Sequence, residues 1–126
     1  MARISESFHA GTFEKAYWKG KRSEGLAPGA FFIIAGADFE GTFDGELDQG
    51  LSDQGGGLGL RDVESTLVDS VAWKTLTKST HPFLEGTPAP ALSAGKAIGR
   101  DAACADTNDN GKDFHAGART PRAKNP

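Results

Sequence analysis

A chain of 126 residues with 37% hydrophobic content, Gly 17 and Pro 6 has the length of one domain with a thin core, built from short strands and turns rather than long helices. The net charge of -3 is unevenly laid out: nine acidic residues and one basic residue (Arg61) lie between Asp38 and Asp69, five basic and three acidic residues in the first 25, and four basic and one acidic from Lys112 onward. The acidic middle argues against a nucleic-acid surface there, because phosphates require Lys and Arg, and is compatible with divalent cations, basic partners or plain solubility.

Residues 1–25 are the least patterned. The run Phe13 to Trp18 reads as one helical turn, with Phe13 and Tyr17 four apart, or as a frayed strand. Lys19 to Gly25 is a charged loop. Nothing in the first fifteen residues resembles the apolar stretch of a secretory signal, so the chain as written is expected in the cytosol unless a longer gene product supplies an export signal. No apolar stretch reaches membrane-spanning length.

Leu26 to Gly29 has the Pro-Gly order of a type II turn. Ala30 to Ala35 (AFFIIA) is the strongest strand signal, a continuous apolar run with both faces expected to be covered. Asp38 to Gly50 reads as a loop with Phe39, Phe43 and Leu47 as apolar anchors, since Gly41, Gly45 and Gly50 oppose a helix. Gly55 to Gly59 lacks the Gly-Lys-Ser/Thr ending of a phosphate loop and reads as a flexible turn.

The stretch Gly57 to Trp73 organises the rest. Leu58 and Leu60 alternate with glycine, Val63 to Thr66 is polar, and Leu67 to Trp73 is a second β-type run, so the whole predicts a hairpin. Within it Asp69 interrupts the apolar pattern and, counted by two, shares a face with Leu67, Val71 and Trp73. An unpaired buried carboxylate is costly, so Asp69 is expected to pair with Arg61 or Arg100. Trp18 and Trp73 are both expected in the core rather than as ligand platforms. Gly86 to Pro90 reads as extended, Lys96 to Arg100 as a short strand, and 119–126 as a coil tail.

Asp106-x-Asn108-x-Asn110-Gly111 places oxygen ligands at alternating positions before a glycine, the beginning of a calcium loop, with Asp113 as a further ligand. The twelfth position is Gly117 rather than a bidentate Glu, and the competing reading is an Asx-turn loop. His9, His81 and His115 are isolated, and no metal-binding His pair or nucleophile elbow is present. A single cysteine, Cys104, gives neither an intramolecular disulfide nor a metal cluster.

The ordered set Leu26-Ala27-Pro28-Gly29, Phe31 to Ala35, Gly50 to Asp53, Leu58 to Asp62, Leu67 to Trp73, Gly99-Arg100, Asp106 to Asn110, Asp113-Phe114, Thr120-Pro121 and Asn125-Pro126 resembles the bacterial lamin-tail domain family. The resemblance implies an all-β, immunoglobulin-like β-sandwich over 26–118. It implies a non-catalytic interaction or tethering module, of the kind found beside hydrolase or nuclease domains in secreted or surface proteins, with a protein or cell-surface partner. It offers no catalytic residues; the one cofactor to consider is the calcium of the Asp106 to Asp113 loop. Residues 1–25 match poorly: Arg3 to Glu6 is similar to the family's first strand, but its second is missing, so the sandwich is expected to be incomplete at its N-terminal side, with an open edge that invites pairing with another chain. The alternatives are a small calcium-binding β module and a truncated accessory fragment of a larger surface hydrolase.

Overall fold

The computed structural model describes residues 3–7, 14–20, 25–74 and 81–126; His9, most of the Lys19–Gly25 loop and the polar run after Lys74 lie outside them. The architecture is all-β. Strands β1 (Arg3–Ser7), β2 (Glu14–Lys19), β5 (Gly56–Arg61) and β6 (Leu67–Trp73) form an antiparallel sheet in the order β2-β1-β5-β6. Two small ladders accompany it: parallel β3 (Ile34–Ala35) with β4 (Gly45–Glu46), and antiparallel β7 (Ala97–Gly99) with β8 (His115–Gly117). A one-turn helix, α1 (Asn110–Asp113), precedes β8. Among the described residues no helix is long and apolar enough to cross a membrane.

The predicted hairpin is β5–β6. Its turn is built by Asp62, whose Oδ1 accepts from the N–H groups of Glu64 and Thr66, both at 2.9 Å, while Ser65 takes the left-handed conformation at φ 70°. The Pro-Gly turn forms as expected, with Gly29 at φ 76° and the Ala30 N–H donating to Ala27. The short strand within Lys96–Arg100 is β7.

Four expectations are corrected. The glycine-rich run is not a flexible turn: Gly56 to Gly59 belong to central strand β5, and Gly57 to Gly59 pair on both sides. Glycine is required there by close approach, because a Cβ on Gly59 would stand 2.5 Å from the Phe83 ring. The AFFIIA run contributes only Ile34 and Ala35 to a ladder; Phe31 is 43% exposed, so the run is not covered on both faces. Phe39 and Phe43 are exposed and do not anchor their loop. The N-terminal side does not lack a second strand: β1 pairs with β5, and β2 pairs with β1.

The core is thin, as the composition requires. Ala35, Ala72, Trp73, Phe83 and Ala89 are its buried apolar members, and Phe83 lies over the glycine face of β5. Trp73 is buried and its indole Nε1 donates to the Ser52 carbonyl at 3.0 Å. The register slips opposite Leu60 and Arg61, so Val68 has no cross-strand partner. That bulge also moves Leu67 beside Gly59, on the Phe83 face, and off the face where the two-residue count placed it with Asp69.

Candidate functional site

Polar residues far apart in sequence converge where the end of β6 meets the 81–90 segment and the loop before α1. Arg100 follows β7 and is its centre. Its Nη2 donates to Asp69 Oδ1 at 2.9 Å, and its Nη1 donates to the Ala105 carbonyl at 2.6 Å and to Asp113 Oδ2 at 3.3 Å. Asp106 lies 3.6 Å from the same nitrogen, and the guanidinium sits 4.7 Å from the centre of the Phe114 ring. Asp69 thus finds one of its two expected partners, Arg100. Burial alone would lower the Arg100 pKa, but Asp69, Asp106 and Asp113 outweigh it and hold the guanidinium charged.

Asn110 is the second hub and is fully buried. Its Oδ1 accepts from the N–H groups of Ala72 and Glu85, each at 3.0 Å. Its Nδ2 donates to the Ser70 carbonyl at 3.1 Å and to the Glu85 carboxylate at 3.2 Å. Asp109 caps α1: Oδ1 accepts from Gly111 N–H, Thr87 N–H and the Thr87 hydroxyl, and Oδ2 pairs with Lys112. The Thr87 hydroxyl, then Lys112, hold the Asp109 carboxyl far below its ordinary value.

The four residues of the calcium reading are divided between different tasks. Asp106 Oδ1 accepts from Asn108 N–H two residues on, the bond of an Asx turn, and exposed Asn108 is left-handed at φ 56°. Asn110 points away from both, toward β6. Asp113 is buried, and its oxygens accept from the Thr107 N–H and hydroxyl as well as from Arg100. Burial would raise its pKa, but the Thr107 bonds, the Asp109 N–H and Arg100 lower it on balance. Among the described residues no three His, Cys, Asp or Glu side chains converge to hold an ion. Since both acceptor directions of the Asn110 oxygen are already taken by N–H groups, millimolar calcium is expected to leave the melting temperature unchanged; a rise of several degrees, lost in Asp106→Asn, would restore the cation reading.

Glu85 carries the strain of the junction. Burial, then the negative charges of Asp106 and Asp69, raise its pKa above 4.5, with Ser70 and Arg100 opposing. A carboxyl with a raised folded pKa destabilises the fold above that pKa, and the penalty fades as protons return. Glu85→Gln is therefore expected to melt higher than wild type at pH 7, with the gap closing as the pH falls toward about 4.5. Thermal melts across pH 4–8 check this; a gap independent of pH would remove the electrostatic account.

Sequence reasoning did not find Glu85, Thr87 or Asp109. The signal for Asp109 was present, an Asp two residues before a glycine-bearing turn, but Gly111 concealed the helix it caps. No family model matches the chain, and no curated protein or solved structure is detectably similar to it.

Proposed function

We propose that the chain is a non-catalytic interaction or tethering module of the lamin-tail type, its sheets arranged as an immunoglobulin-like β-sandwich. One observation carries the reading: the motifs that make the resemblance, scattered over more than fifty residues, are bonded to one another. Asp69 from the hairpin, Arg100 from the Gly-Arg pair, Asp106 from the Asp/Asn-rich segment, and Asp113 and Phe114 from the Asp-Phe pair meet around one guanidinium. The tail joins them, since Asn125 Nδ2 donates to the Arg100 carbonyl at 2.6 Å and Thr120 donates to Asn125. Their charged groups are spent on joining chain segments, which is the work of a scaffold.

The test is a panel of peptide, ester, glycoside and phosphoester substrates offered to the purified chain, together with long-range distance restraints from NMR. Absence of turnover and cross-sheet contacts between the β3–β4 and β5–β6 layers are the expected results. Turnover abolished by Asp69→Asn or Glu85→Gln would replace the module with an enzyme.

A further inference from the structure

The acidic middle of the chain meets an aromatic wall. Trp18, near the end of β2, is half-buried and its ring centre stands 5.2 Å from that of Phe32, tilted by 54°. Gly45 of β4 lies so close to the indole nitrogen that no larger residue fits without displacing it. Trp18, Lys19, Glu46 and Asp48 line one open cleft of 590 Å³. Glu46 and Asp48 are exposed, and among the described residues neither is engaged by a hydrogen bond or ion pair. The cleft belongs to a lobe in which no Lys or Arg occurs between Arg22 and Arg61, while Asp38, Glu40, Asp44, Glu46, Asp48 and Asp53 all do. Phe39 and Phe43 stand exposed on the same lobe.

The chain itself displays the chemistry this lobe accepts. Arg122, from the C-terminal turn, places its Nη2 2.8 Å from Asp44 Oδ2, a carboxylate oxygen that also accepts from the Ile33 N–H at 2.8 Å. Asp44 precedes β4, and Glu46 and Asp48 follow within four residues. The geometry points to an arginine-recognition site: the Trp18 cleft takes an arginine side chain of an extended basic segment in a partner protein, stacked on the indole and bonded to Glu46 and Asp48. A planar guanidinium suits this better than an ammonium, because it lies flat on an aromatic face and presents forked donors to carboxylates. The site rests on the reading of the chain as an interaction module and names the chemistry of its partner. Lys19 shares the rim, so it competes with the guest for the same carboxylates.

The experiment uses the full chain and a hexa-arginine peptide at low salt, read by Trp fluorescence, with hexa-lysine for comparison. Trp73 is buried, so Trp18 reports the contact. Saturable binding is expected, weakened about tenfold by Glu46→Gln/Asp48→Asn, tightened by Lys19→Ala, and weaker for hexa-lysine. Both altered carboxylates are exposed, so the double variant is expected to melt like wild type. Equal binding by that variant, equal affinity for the two peptides, or no saturation would overturn the site. So would concentration-dependent self-association abolished by Arg122→Ala, which would make a second copy the occupant. Failure here with no turnover on the substrate panel removes this site alone, whereas turnover removes the module reading.

Discussion

Asn110→Ala is expected to be the most damaging single truncation of a polar residue among the described residues. It strands the N–H groups of Ala72 and Glu85 and the carbonyl of Ser70, all of which depend on the Asn110 amide. Leaving a buried backbone group unpaired costs about 1–3 kcal/mol, so three such groups, partly relieved by water, predict a loss of roughly 3–5 kcal/mol. For a domain of this size that lowers the melting temperature on the order of 15 °C. Asn110→Asp separates the two halves of the amide. It keeps the oxygen that Ala72 and Glu85 need, but sets a second oxygen against the Ser70 carbonyl and the Glu85 carboxylate. It should be strongly destabilising at pH 7 and recover in part as the new carboxyl protonates. Melts of both variants at pH 7 and pH 4 check the pair; an Asp variant as stable as wild type at pH 7 would show that the donor half contributes nothing.

Phe83→Ala should cost a similar amount by a different route. Phe83 is fully buried, and the strand beneath it has glycines where other sheets have side chains. The β5 residues directly beneath it, Gly57 and Gly59, carry no side chain to rearrange, and Arg61, 5.9 Å from the ring centre, stands only at its margin. A cavity that closes only in part puts Phe83→Ala in the range of about 3–5 kcal/mol. The converse change is informative. Gly59→Ala aims a methyl at the Phe83 ring and the Leu67 side chain, at 2.5 and 2.9 Å. It should destabilise by about 1–3 kcal/mol in wild type and by much less in the Phe83→Ala background, where the methyl partly fills the hole. Chemical denaturation of the four members of this cycle measures the coupling; simple additivity would show that the two positions do not meet.

What was legible in the sequence was local. Leu58 and Leu60 alternating with glycine, the Asp62-to-Thr66 turn chemistry and the Pro-Gly order at Pro28–Gly29 each need only neighbouring residues, and each forms as read. Asp69 was legible for another reason: a carboxylate in an apolar strand demands a cation, and Arg100 was one of two to choose from. The errors came where distant parts decide. The AFFIIA run has the composition of a central strand, yet in this fold it meets only the two-residue β4. The glycines of β5 looked like a turn because their value lies in Phe83, more than twenty residues later. The pairing of β1 and β2 with the hairpin rests on long-range register, which the weak pattern of residues 1–25 does not encode. In the candidate junction, the alternating Asp and Asn oxygens were visible, but their directions were not: Asn110 turns to β6, while Asp106 and Asp113 turn to Arg100.

The Asn110 carboxamide has a further consequence, for how the protein behaves in a crowd. An amide side chain offers the same donor and acceptor as a peptide unit. On the outer side of β6 it occupies Ser70 and Ala72, and Ala89 continues the pairing by donating to the Ala72 carbonyl and accepting from Lys74. A single residue and one extended segment thereby close most of an edge that would otherwise template β-aggregation. The Asn110 amide and the Ala89 segment are thus also a guard against fibril-like stacking, holding a glycine-rich, apolar hairpin apart from its own copies.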